Sequence, residues 1–457
     1  MLLYQAILLD SVVVLTCAIV MMKYARVSAL HPGPMYLLLH VMIFTTRACS
    51  ILMGSPTLFA GWSHGELPVN EAEIAWALTL ADLGLISMTV AWVQAAAVDR
   101  RKHDNHGGST PAIHSDAAVL SERVIWMVSA IAAPIGIVAL ILFGNTGSAG
   151  VYKVDLGDWN SSSWTMVTQS WAGLVLLALI YYYGFRKWLM VPMCAYLLVM
   201  AVQGFNRFRV IVPLLYLLLV YLWRRGRKWP PTWMVAAAIV MLLAFFPLKT
   251  IGNMVQKGEP VSDIADVANN MIADVSAGHS EDQMVMDEFA STVSLVDDSH
   301  EYYYGSLYYP LLTLPVPKQW WPDKPALNQY QHEISNPSRP MARAGMVATL
   351  HGESYANMGF VGIILISYIV AYYLARFYFV AQRQSYYSIC RFTYIMVACN
   401  LIQVFRDGLI SLVVFTLVNM APLVLIAVLS WVTFRRDRAI SQKTWQSIPQ
   451  IKRVVRA

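Results

Sequence analysis

Residues 188–223 read WLMVPMCAYLLVMAVQGFNRFRVIVPLLYLLLVYLW, with the strongly polar side chains confined to Gln203, Asn206, Arg207 and Arg209 near the middle. A helix rises about 1.5 Å per residue, so the whole stretch is just long enough for two spans of about 17 residues, near the minimum that crosses a hydrocarbon core of about 30 Å. The stretch reads as two membrane spans with almost no loop between them. Both flanks are basic, Arg186 and Lys187 before, and Arg224, Arg225, Arg227 and Lys228 after. Lys and Arg accumulate on the cytoplasmic side, so both flanks lie inside and the turn around Arg207 faces out.

The same pattern extends over the chain. Of its 457 residues 57% are hydrophobic and only 13% charged, and the mean hydropathy is +0.51. A soluble protein carries about twice that charged fraction, so the chain is an integral membrane protein. The net charge of +6 does not point to nucleic acid, because the basic residues form short clusters between apolar runs. The five cysteines, Cys17, Cys49, Cys194, Cys390 and Cys399, lie in or at the ends of apolar runs without metal-ligand or CxxC spacing. They read as small core residues, with neither a disulfide nor a zinc site expected. The first apolar run lacks a basic leader and a small-residue cleavage site, and reads as a retained span.

Counting apolar runs predicts an all-α polytopic protein with about eleven transmembrane helices. They centre near Val13, Val41, Ile86, Ala133, Val175, Leu197, Leu215, Val240, Leu365, Val397 and Leu423. The alternation of basic clusters places the amino terminus outside and the basic tail, 435–457, in the cytoplasm. Residues 1–251 form a first block of spans, 359–434 a second, and 252–358 one large extracytoplasmic loop. No internal repeat of the kind that marks many transporters is visible.

Charged residues away from the cytoplasmic clusters carry the functional information. Arg207 and Arg209 sit at the outer surface, where they either snorkel as anchors or hold an anion such as phosphate. Arg406 and Asp407 break the last apolar region. They are either an ordinary polar turn, or an arginine reaching a ligand beside an aspartate that caps the next helix. Arg47 and Asp82 lie about two turns below the outer surface on consecutive antiparallel helices, a geometry that allows an ion pair and reads as structural pairing before catalysis.

Within the large loop, His351 and Glu353 stand just before the span expected to start near Gly359. At a semi-enclosed membrane edge either can accept a proton from a hydroxyl nucleophile. Arg339, Arg343, Lys318 and Lys324 supply cations in the same loop. Trp320, Trp321 and the tyrosines 302–304, 308 and 309 supply flat faces that suit sugar rings or an interfacial belt. Residues 262–299 alternate apolar and acidic positions at helical spacing, as in Met286, Phe289 and Val293, and predict amphipathic helices lying over the membrane domain with a solvated acidic face.

The segment from Tyr304 to Tyr308, the Pro-Lys-x-Trp-Trp-Pro-Asp-Lys-Pro run from Pro317 to Pro325 and the Gly-Glu-Ser-Tyr-Ala-Asn-Met-Gly run from Gly352 to Gly359 resemble the signature of oligosaccharide repeat-unit polymerases. These are the Wzy-type O-antigen and capsule polymerases of the bacterial inner membrane. The Gly204-Phe-Asn-Arg207 turn is similar to one that this group shares with O-antigen ligases. Two departures stand out: Lys318 replaces a frequent Arg, and 287–296 lacks an expected Arg.

The resemblance implies a GT-C-like, metal-independent glycosyltransferase without a cofactor. It would act at the periplasmic face on undecaprenyl-diphosphate-linked glycans, alongside a flippase and a chain-length regulator. In that scheme Glu353, preferred over His351, is the general base. Arg207, Arg209, Arg343, Arg406, Arg339 and Lys318 meet the diphosphate, and Trp320, Trp321, Tyr304 and Tyr355 contact sugars. An O-antigen ligase and a lipid-linked-oligosaccharide flippase are the rival readings. The Trp-Pro-Asp-Lys-Pro run favours the polymerase over the first, and the large outer loop and lack of repeats disfavour the second.

Overall fold

The computed structural model of the chain describes residues 2–55, 69–104, 118–143, 167–202, 208–236, 284–299, 301–313, 316, 320–323 and 349–447. The described elements are helices, with one isolated β-bridge between Val119 and Ser388. In chain order they are α1 (Leu3–Tyr24), α2 (Pro32–Leu52), α3 (Glu71–Asp104), α4 (Glu122–Phe143), α5 (Trp171–Tyr183), α6 (Lys187–Val202) and α7 (Phe208–Arg224). There follow α8 (Met284–Ser299), α9 (Thr349–Arg383), α10 (Ile389–Cys399), α11 (Leu401–Asp407), α12 (Leu409–Asn419) and α13 (Ala421–Ser447).

Among the described residues five helices, α1, α2, α3, α4 and α9, are long and apolar enough to cross a membrane. The number rises to seven if α10 with α11, bent by 43°, and α12 with α13, bent by 74°, each make one span. α5 and α6 are shorter apolar helices, and the expected span around Val240 lies outside the described residues. The outward faces agree with lipid as the solvent. Leu8, Val12, Leu15 and Ile19 form an exposed stripe on α1, and Ile131, Val138 and Ile141 are exposed on α4. Faces so uniformly apolar belong in hydrocarbon, and the chain is an α-helical, membrane-embedded protein.

The central helix is α3. Asn70 and Glu73 start it with reciprocal bonds, the Glu73 amide donating to the Asn70 side chain at 2.9 Å and the Asn70 amide to Glu73 Oε2 at 2.8 Å, which is a capping box. Small residues along it, Ala75, Ala77, Ala81, Ala91, Ala95 and Ala96, are buried and admit α1 and α9 at close range. One large core joins α1–α7 to α9–α13. A second, at the other end of α3, packs Phe44, Ala48, Ile74 and Leu78 against Val285, Phe289 and Val293 of α8 and Tyr355 of α9.

The structure corrects three expectations here. Met286, Phe289 and Val293 do form the buried stripe of a helix, but Asp287 on the same helix is fully buried instead of solvated. The last loop-to-membrane junction is already helical from Thr349, with a break at Met358 (φ −153°) and Gly359 (φ 61°). Of the five free cysteines, Cys17 and Cys399 are buried while Cys194 is exposed, so it is no core residue.

Candidate functional site

The first turns of α9 bring Glu353 against the break between α11 and α12. That break is made by Gly408 at φ +95°, a backbone conformation that L side chains rarely adopt. A Cβ on Gly408 would lie 1.9 Å from Glu353 Oε2, so the glycine is required both by its backbone and by the carboxylate over it. Glu353 has no exposed surface, and neither of its oxygens has a hydrogen bond among the described residues. The Tyr308 hydroxyl and the amides of Leu409 and Ile410 face it. α12 has no side-chain cap of its own, and the carboxylate answers the positive end of that helix from across the interface.

Two of the expected arginines lie among the described residues, and Arg406 stands beside this break. Arg406, in the last turn of α11, lies with Nη1 3.3 Å from Asp407 Oδ1 and with its guanidinium 5.2 Å from the centre of the Phe208 ring. Arg209, the residue after Phe208, donates from Nη1 to Gln169 Oε1 at 2.7 Å. The start of α7 and the end of α11 thus meet through Phe208 and Arg406, and Arg406 lies two residues before the Gly408 turn that Glu353 covers. Asp407 does not cap the next helix as one reading had it; it pairs with its neighbour, and Gly408 occupies the cap position.

His351 points elsewhere. Two residues apart on a helix are about 200° apart around its axis, so His351 and Glu353 occupy opposite faces and cannot act on one proton together. The His351 ring packs where a Cβ on Gly84 would come within 2.1 Å of it. Its Nε2 meets the Tyr36 hydroxyl and its Nδ1 lies 3.2 Å from Ser367 Oγ. The expected pair of Arg47 with Asp82 is also replaced. Arg47 makes a bidentate bond to Asp287, Nε to Oδ1 at 2.9 Å and Nη2 to Oδ2 at 2.6 Å. Asp82 turns to His40.

The tyrosine-rich segment closes over the break in α9. The amides of Tyr303 and Tyr304 donate to the carbonyls of Ala356 and Asn357, and the Gly305 amide donates to Asn357 Oδ1 at 2.8 Å. Tyr304 is exposed, as are Trp320 and Trp321, which leaves their flat faces open. Tyr355 is buried and donates its hydroxyl to Asp297, so it braces α8 against α9 instead of offering a face to a sugar. Arg207, Arg343, Arg339, Lys318 and Lys324 lie outside the described residues.

Sequence reasoning passed over Asp10, Tyr36 and His40, which the structure draws into one buried network with Asp82 and His351. The signal was present, because an ionisable residue in the middle of an apolar run is a site candidate by default. No family model matches the chain, and no curated protein or solved structure matches it.

Proposed function

We propose that the chain is a glycosyltransferase that polymerises undecaprenyl-diphosphate-linked oligosaccharide repeat units. Its setting in this reading is the bacterial inner membrane, with about eleven spans, the amino terminus and residues 252–358 periplasmic, and the tail cytoplasmic. An acceptor hydroxyl gives its proton to Glu353 and attacks the anomeric carbon of the donor. The new glycosidic C–O bond forms as the anomeric C–O bond to undecaprenyl diphosphate breaks, and Arg209 and Arg406 meet the charge that develops on the departing diphosphate.

The observation that carries the reading is the placement of Glu353, a buried carboxylate, over the Gly408 turn that Arg406 precedes by two residues. The motif resemblance around Tyr304, Trp320 and Gly352 supplies the substrate class. The test has two parts. In cells, deleting the gene leaves a single repeat attached to its acceptor if the chain is a polymerase, whereas loss of every repeat indicates a ligase or a flippase. In vitro, purified lipid-linked repeat units are offered to the wild type and to Glu353→Gln in nanodiscs. The variant keeps size but cannot take the proton, so turnover falls about a hundredfold or more while substrate still binds. Normal polymer from Glu353→Gln removes the carboxylate from the chemistry.

A further inference from the structure

Three side chains of metal-ligand type meet where α1, α2 and α3 pack. Asp10, His40 and Asp82 are all buried, and one ligand atom from each lies within 4.8 Å of the other two. Asp82 is about 16 Å along α3 from Glu71, at 1.5 Å per residue, well inside the apolar run. His40 Nε2 is 2.9 Å from Asp10 Oδ1 and 3.6 Å from Asp82 Oδ1. Among the described residues Asp10 Oδ2 and both Asp82 oxygens are buried without a hydrogen bond.

We propose that Asp10, His40 and Asp82 bind a divalent first-row transition metal ion of the zinc class. Three observations converge on it. Two carboxylates beside a single imidazole leave a surplus of negative charge, costly to hold in the middle of apolar spans, and a divalent cation cancels it. Arg47 does not serve, since its guanidinium is taken up by Asp287. Next, zinc bonds to nitrogen and oxygen ligands of about 2.1 Å give a tetrahedral edge of about 3.4 Å, which the 2.9 and 3.6 Å separations bracket. Finally, His40 Nδ1 is 3.5 Å from the Tyr36 hydroxyl, an oxygen that can accept the second ring N–H and so leave Nε2 free for a metal, as outer-shell acceptors do for ligating histidines. Calcium asks for six to eight oxygens and magnesium keeps a near-octahedral shell of oxygens and waters, whereas a mixed set of one imidazole and two carboxylates suits zinc and its neighbours. The ion joins three helices at the point where the His40 bridge already links them, and the inference does not rest on the glycan reading.

The test uses the full chain, free of any affinity tag, in nanodiscs, with Zn²⁺ as the probe. After loading and dialysis the wild type retains one zinc ion per chain, and X-ray absorption of that sample reports oxygen donors, one imidazole and no sulfur. Tyr36→Phe keeps all three ligands and weakens zinc binding by about tenfold or more. Asp82→Asn removes a ligand and abolishes stoichiometric retention. A wild type that retains no zinc overturns the site and leaves the carboxylates to be neutralised by protons. Sulfur in the shell moves the ion to a cysteine and overturns it as well. Should Asp82→Asn fail to fold, the wild-type spectrum and the Tyr36→Phe titration decide alone: unchanged affinity in Tyr36→Phe together with a second imidazole counts against the assignment.

Discussion

The bond between Arg47 and Asp287 ties α8 to α2, and its worth is open to measurement. Both side chains have no exposed surface and share two parallel hydrogen bonds of 2.9 and 2.6 Å. Replacing Arg47 by Met leaves the Asp287 carboxylate buried without its guanidinium, and replacing Asp287 by Leu strands the guanidinium. Removing one partner of a buried pair costs about 3–5 kcal/mol, comparable with two charge-assisted bonds at about 1.5–3 kcal/mol each. The double variant leaves no charge behind and keeps comparable volume, so its net cost falls to about 0 kcal/mol, since an apolar pair often replaces a buried ion pair without loss.

The expected signature is therefore strong non-additivity, with the double variant more stable than either single one. Reversible unfolding in mixed micelles measures it for the four proteins of the cycle, and limited proteolysis of 284–299 reports whether α8 has been released. Arg47→Lys keeps the charge but loses the planar fork, and falls between wild type and Arg47→Met. A double variant no more stable than the worse single one would refute the argument, because the two residues would then be contributing independently.

Gly408→Ala forces an L side chain into φ +95° and sets a methyl 1.9 Å from Glu353 Oε2; the backbone alone costs about 1–2 kcal/mol, so thermal stability drops, and adding Glu353→Ala restores part of it by vacating the space. If Gly408→Ala is as stable as wild type, the carboxylate does not sit over that turn. Arg209→Lys retains the charge and loses the fork, and polymerisation at equal protein level falls about tenfold, corresponding to about 1.4 kcal/mol of transition-state contact. Unchanged activity there returns Arg209 to the role of a surface anchor.

The apolar runs made the helical membrane fold legible, because hydrocarbon leaves the backbone few alternatives and long spans declare themselves by length. Met286, Phe289 and Val293 announced one face of α8 by spacing alone. Partner choice among charges was not legible. Arg47 and Asp82 stand at similar depth on neighbouring helices, yet the guanidinium finds Asp287, more than two hundred residues on, and Asp82 finds His40. Depth along a span follows from counting residues; rotation about its axis depends on packing that one sequence does not display. Gly408 and Gly84 illustrate the same limit. Each reads as an ordinary glycine until Glu353 or the His351 ring is seen against it.

That rotation separates two kinds of chemistry on α9. His351 faces the polar network of Tyr36, His40, Asp10 and Asp82, whereas Glu353 faces the glycine break between α11 and α12. The two residues should therefore fail differently. His351→Ala takes a partner from Tyr36 and so loosens the support of His40; thermal stability and zinc affinity fall together, while under the proposed function the folded fraction keeps its polymerase activity. Glu353→Gln does the reverse, with zinc retained and turnover lost. Measuring zinc content, thermal midpoint and polymer yield on the same preparations of both variants separates the faces. An inactive His351→Ala with wild-type stability and full zinc content would transfer the proton-accepting role to the histidine. The carboxylate over Gly408 would then be a helix cap and nothing more.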